Sequence, residues 1–180
     1  MKHHLLILLT LTGIFLGCNP QNGPTHRIPP IDTVFSTAIS EFYGAHYELI
    51  HQNVLSLDLY SHGLTFDSLG TIHGQGTNLY LSDIFVPTGD STLRSHTYTI
   101  DTTGQAFTTL PGMEFEGGIT GAYLLQVNTG TIERVNKIYY LQSGSFTVQN
   151  EGDTTEIVFH FVTNDKQTIN ATYRGVMQAK

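Results

Sequence analysis

Seven histidines lie beyond the first eighteen residues, His26, His46, His51, His62, His73, His96 and His160. Imidazole is the side chain best suited to metal ligation and to proton transfer near neutral pH. Their spacing does not favour either role: there is no His-x-His, no His-Glu-x-x-His and no cysteine partner among them. His46 with His51, or His62 with His73, would share a metal only if folding brought them together, so hydrogen-bonded or exposed imidazoles are expected. Glu114 and Glu116, two apart, would share one face of a strand as an acid pair. Gly112, Gly117 and Gly118 around them favour a solvated loop instead. Gly74-Gln75-Gly76 lacks the third glycine and the following helix of a dinucleotide site, and reads as a bulge or a tight entry to a strand. No Gly-x-Ser-x-Gly elbow and no phosphate loop occurs. The expected catalytic set, metal site and cofactor are therefore none, with a metal-dependent enzyme only an outside alternative.

One residue does carry chemistry by its position, the single cysteine, Cys18. Lys2, His3 and His4 make a basic start, and Leu5 to Leu16, broken by Thr10, Thr12 and Gly13, is apolar. Twelve such residues are too few to span a bilayer comfortably, and the pattern is that of a signal peptide. Its ending, Leu16-Gly17-Cys18 after Phe15, resembles a bacterial lipobox, in which the cysteine is lipidated and becomes the first residue of the mature chain. The alternative is a small residue at an ordinary cleavage site. A lone thiol in an oxidising compartment is a liability that lipidation removes. Each buried methylene contributes roughly 0.8 kcal/mol, so the several acyl chains of such an anchor, palmitate among them, hold where one would not. The expected division is a signal peptide over 1–17, a lipidated N-terminus and flexible tether over 18–32, and one domain over 33–180. The tether, Asn19 to Pro30, is rich in Pro, Gly and Asn and has no periodicity.

Beyond Cys18 there are 7 Lys and Arg against 15 Asp and Glu, a net charge of −8. That balance argues against nucleic acid and against anionic lipid as a direct ligand. No second cysteine is present for a disulfide, so packing must hold the fold. Tyr, Phe, Thr and Gly are frequent and Trp is absent, the balance of a β protein with many turns.

The elements follow from period-2 alternation. Val54 to Tyr60 sets Leu55, Leu57 and Leu59 on one face and Ser56, Asp58 and Tyr60 on the other. Thr77 to Ser82, His96 to Ile100, Ala122 to Val127, Lys137 to Gln142, Ser145 to Gln149, Glu156 to Thr163 and Thr168 to Met177 are further strands. Val34 to Tyr43 fits a helix or a strand equally. The last three strands are joined by connections so short that they must be antiparallel neighbours in a meander. In the middle one, Ile157, Phe159 and Phe161 form one face; Val158, His160 and Val162 form another that is also apolar, which predicts a strand covered on both sides. The fold class is all-β: a single antiparallel, meander-rich β-sandwich or flattened, lipocalin-like β-barrel of about eight to ten strands.

Three segments, Gly74-Gln75-Gly76-Thr77-Asn78-Leu79-Tyr80-Leu81, Ser143-Gly144-Ser145-Phe146-Thr147-Val148 and Ile169-Asn170-Ala171-Thr172-Tyr173-Arg174-Gly175, resemble signatures of uncharacterised Bacteroidetes lipoproteins. Ala38 to Gly44 is similar to the opening of their domain, whereas His96 stands where they usually have a glycine. The resemblance implies an all-β domain without known activity, in the cell envelope at the outer membrane. Surface export in such lipoproteins is signalled by acids directly after the cysteine; here the first is Asp32, which favours the periplasmic face. The expected function is a membrane-anchored binding or structural module, its partner an apolar small molecule or an envelope protein. A lipocalin-like carrier is the alternative, with the question being whether Leu57, Leu79, Phe146 and Phe159 meet or line a void. Carbohydrate binding is weaker, since Tyr would have to replace absent Trp platforms. Finally, five of the eight aspartates begin Asp-Ser/Thr followed by an aliphatic residue or Thr, at Asp32, Asp67, Asp90, Asp101 and Asp153. This looks like the O-glycosylation motif of exported Bacteroidetes proteins, making Thr33, Ser68, Ser91, Thr102 and Thr154 candidate acceptors. Asp followed by Ser or Thr also starts turns by bonding its own backbone.

Overall fold

Alternation on this scale needs partners for every strand, and a computed structural model, which describes residues 30–130 and 134–180, supplies them by curling one sheet into a ring. Thirteen strands follow one another: β1 (Val34–Gly44), β2 (Asn53–Ser61), β3 (Leu64–Phe66), β4 (Ile72–Val86), β5 (His96–Ile100), β6 (Thr108–Thr109), β7 (Met113–Phe115), β8 (Gly118–Thr120), β9 (Ala122–Asn128), β10 (Val135–Glu151), β11 (Thr154–Thr163), β12 (Thr168–Gly175) and β13 (Gln178–Ala179). No helix occurs among the described residues. The signal peptide, Cys18, His26 and most of the tether lie outside the described residues.

Eight strands close a β-barrel in the order β1, β2, β4, β6, β5, β10, β11, β12. Two long strands make the closure possible by changing partner part-way. β4 pairs β9 over Gln75–Leu81 and then β6 at Ile84 and Phe85. β10 pairs β9 over Val135–Tyr140 and then β5 over Ser145–Val148. Each switch coincides with a bulge, where Leu55 and Leu57 of β2 face Ile84 and Leu81 of β4, and where Leu141 and Ser143 of β10 face Thr163 and Val162 of β11. A bulge of one residue reverses which face alternate side chains take. Leu79 and Leu81 therefore share the interior with Ile84 and Val86, and Tyr139 and Leu141 share it with Phe146 and Val148.

The interior is filled. Leu57, Leu79, Phe146 and Phe159 belong to one buried cluster. Tyr98 stacks on Phe146 at 4.8 Å between centroids, Phe146 lies 5.8 Å from Phe159, and Phe159 meets Phe35 edge-on at 6.1 Å. Offset and edge-to-face pairs at such spacings are the favourable geometries for aromatic rings.

Several expectations are refined by these pairings. Val34–Gly44 is a strand, because it pairs antiparallel with β2 and parallel with β12 and both partnerships satisfy its backbone. The barrel is thus not purely antiparallel; β5 and β6 also run parallel. The segments Lys137–Gln142 and Ser145–Gln149 are one strand, bent where Gly144 takes φ +119°. A Cβ there would lie 2.1 Å from the His160 carbonyl oxygen, so only glycine permits the approach of β10 to β11. The C-terminal meander is as expected, with β11 between β10 and β12. Its outer face is not covered: Val158 and Val162 are half-buried and His160 is exposed, because the barrel has only one packed side. Gly74, φ +106°, opens the close β3–β4 hairpin, in which its Cβ would meet the Gly63 carbonyl oxygen at 2.1 Å. Glu114 and Glu116 sit on a hairpin rather than a loop. Glu114 pairs with Ile119, and Glu116 occupies the turn at φ +49°, both exposed.

Candidate functional site

The outward face of β2, β4 and β9 brings polar and aromatic side chains together through the strand register. Because Leu55, Leu57 and Leu59 point inward, Ser56, Asp58 and Tyr60 must point out. The register then builds one row across four strands: Ile39 of β1 faces Asp58, Asp58 faces Tyr80, and Tyr80 faces Tyr123 of β9. The next row sets Tyr60 against Asn78 and Asn78 against Leu125. Side chains directly opposite or diagonal across such rows are within reach of one another.

Asp58 is the hub. Its two oxygens accept from the Tyr60 hydroxyl and the Asn78 amide, and Asn78 also donates to the Leu59 carbonyl at 3.1 Å. Burial pushes the Asp58 carboxyl above its usual range, and those hydrogen bonds and the Lys180 charge oppose the shift without cancelling it. Burial, and then the bond to Asp58, raise the Tyr60 phenol. The Tyr123 phenol is pushed up to about 12 by burial and by the charges of Tyr80 and Asp58. Burial raises Tyr80 as well, while a hydrogen bond to Ser56 opposes it. Every phenol in the row is therefore a neutral donor and acceptor at physiological pH.

Asp58, Tyr60 and Tyr80 lie along an open groove of about 450 Å³ on the outside of the barrel, with Ile39, Phe66 and Glu41 as its walls. Phe66 comes from the β3–β4 hairpin and meets Tyr60 edge-on at 4.6 Å. Tyr80 and Tyr123 are 5.3 Å apart and tilted by 43°. Lys180 stands at the rim, its ammonium 4.0 Å from Glu41. Tyr80 also borders a second hollow of about 200 Å³ with Tyr43, His46 and Asp83. There the Tyr47 hydroxyl donates to Asp83 at 2.5 Å.

The residues singled out from the sequence are elsewhere. His73 lies 3.0 Å from Asp67, His160 lies 2.8 Å from Asn170, and His96 stacks on Phe107 at 3.8 Å. His51 and His62 are exposed, and among the described residues no three His, Cys, Asp or Glu side chains gather as metal ligands. Ser68, Ser91 and Thr102 are exposed between strands, Thr33 is half-buried just before β1, and Thr154 is the first residue of β11. Asp32, Asp67 and Asp101 each accept a bond from the backbone N–H two residues on, at 3.1, 2.9 and 2.5 Å, so turn formation is a role these tripeptides do have.

In the sequence, Ser56, Asp58 and Tyr60 stand only as the second face of a half-buried strand, and nothing local gives Tyr80 or Tyr123 a role. An aspartate flanked at i±2 by serine and tyrosine on an outward face was the available signal. The register that aligns it with two tyrosines is non-local. Comparison with protein-family models, with curated proteins and with solved structures gave no match.

Proposed function

We propose that this chain is a lipid-anchored binding module of the cell envelope whose ligand is held on the outside of the barrel, in the groove around Asp58. The observation that carries the reading is the contrast between the two faces. The interior positions Leu57, Leu79, Phe146 and Phe159 pack against one another. The outer groove presents a half-buried carboxylate and phenols beside two apolar walls, Ile39 and Phe66. Binding sites combine apolar lining with a few convergent polar groups in this way. A lipocalin-like carrier of an apolar ligand would need that interior cluster to part. The anchor is the acylated Cys18, with the outer membrane as its site and the periplasmic side as its face, on the strength of the sequence pattern before Cys18 and the lack of acids directly after it.

Two measurements test this. Replacing Cys18 by Ser is expected to move the protein from the detergent-extracted membrane fraction to the soluble envelope fraction, and a wild-type protein already soluble without detergent defeats the anchor. Native mass spectrometry of gently purified full-length protein is expected to find a small ligand that Tyr80→Ala loses. A ligand retained by Tyr80→Ala and lost when Leu79 is replaced would instead place it in the interior.

A further inference from the structure

We infer that the groove ligand is a compact organic cation, a primary or quaternary ammonium group seated over Asp58. The inference rests on the groove reading above and adds the ligand's charge. Three features of the groove carry it.

The first is the unbalanced carboxylate. Both donors to Asp58, Tyr60 and Asn78, are neutral. The groove's one lysine, Lys180, stands at the rim 4.0 Å from Glu41, and its charge also reaches Asp58. Glu41 and Asp58 against Lys180 leave the groove one negative charge in excess, in a chain that is acidic overall. A carboxylate oxygen has two lone-pair directions, so Asp58 can accept a primary ammonium's N–H beyond the two donors it has, while a quaternary ammonium, which has no N–H, meets the carboxylate through charge alone.

The second is ring orientation. A sugar is recognised on a flat aromatic platform, but here the rings lining the groove form a corner: Phe66 is perpendicular to Tyr60, at 86°, with Tyr80 beside them. Rings set at angles around a carboxylate make walls that enclose a small head group and offer it their electron-rich faces. Phe66 is part-exposed, so one wall of this enclosure is open to an incoming ligand.

The third is protonation. The half-buried carboxylate is held above its ordinary range by desolvation, and an arriving cation relieves that penalty where a neutral polyol does not. An anionic ligand would meet Glu41 and Asp58 together and is disfavoured.

The test uses the full chain in detergent and three probes: choline, its neutral carbon isostere 3,3-dimethylbutan-1-ol, and methyl glucoside. Binding is read by calorimetry and by chemical-shift changes. Choline is expected to bind at least tenfold more tightly than the isostere, and Asp58→Asn is expected to abolish that preference. Tyr80→Phe, which keeps the ring, should retain choline, whereas Tyr80→Leu should weaken it several-fold. The circular dichroism of each variant must match the wild type; Glu41→Gln, at the rim, is the second carboxylate variant should Asp58→Asn fail to fold, and it is expected to weaken choline in the same direction. Equal affinity for choline and the isostere, tighter binding of methyl glucoside, or no choline binding at 50 mM would each overturn the inference. A neutral probe whose binding is lost in Tyr80→Leu would overturn the charge assignment alone and leave the groove as the site.

Discussion

Replacing Phe159 by alanine probes the filled interior where it is most tightly made. The ring is fully buried and touches three others, Phe35 at 6.1 Å, Phe146 at 5.8 Å and Phe161 at 5.7 Å. Truncating a buried Phe costs about 3–5 kcal/mol, combining lost transfer free energy with the cavity left behind. Favourable aromatic pairs add about 0.5–1.5 kcal/mol each beyond area, so three lost pairs put this site in the upper part of that range. For a domain of this size each kcal/mol lowers the thermal midpoint by roughly 2–4 °C, giving a fall of roughly 8–20 °C. The assay is urea and thermal unfolding followed by circular dichroism, with His160→Ala as the control. His160 is exposed on the opposite face of the same strand, and its ring bonds Asn170 at 2.8 Å, so its loss should cost less than about 1 kcal/mol. A control that costs as much as Phe159→Ala would mean that β11 presents the other face to the interior, and the parity argument for the whole meander would fail.

Asp58→Asn tests the electrostatics of the groove. A carboxyl whose folded-state pKa is raised destabilises the fold once pH exceeds its unfolded value, and increasingly so as pH rises through the folded value. The variant should therefore gain on the wild type as pH rises above the ordinary aspartate value of about 3.9; a difference that shrinks as pH rises contradicts desolvation as the dominant cause. Gly144→Ala forces a side chain into φ +119° and against the His160 carbonyl, and should cost roughly 1–3 kcal/mol from backbone strain alone, measured as a lowered denaturation midpoint. Intact mass of protein from its native host checks the acceptor sites: a mass above polypeptide plus lipid, lost in Ser68→Ala or Ser91→Ala, is expected. A mass equal to polypeptide plus lipid would leave Asp67 and Asp101 with their turns only.

How far the fold was legible can be judged strand by strand. β2 and β12 were readable because alternation along one strand is a local signal, and Leu55, Leu57 and Leu59 mark their face without help from any neighbour. The antiparallel run from β10 to β12 was readable because connections such as Gly152–Asp153 leave no other geometry. β1 was not, since Val34, Ala38, Ile39 and Phe42 fit two periods and the choice is made by β2 and β12, distant in sequence. The two bulges hid the continuity of β10 and the length of β4, because a parity reversal looks like the end of one strand and the start of another. The groove was hidden because strand pairing is non-local. Asp58, Tyr80 and Tyr123 each look like an ordinary outward residue, and only the register of three strands makes them neighbours.

The parallel pairing of β1 with β12 joins Val34 to Thr172. That contact spans nearly the whole described chain, and the ring cannot shut before it forms. Contacts so distant in sequence are slow to make, since the loop entropy must be overcome before the pairing stabilises anything. Until then β1 and β12 each present a bare strand edge, which is what another unfinished chain would pair with. The order of folding this implies is a C-terminal meander and a β2–β4 hairpin made early, with the seam sealed last. Crowding among newly made chains is then most hazardous in that interval, and a substitution that weakens the seam, such as proline at Thr172, should appear first as lower yield and swapped dimers and only afterwards as a lower melting point.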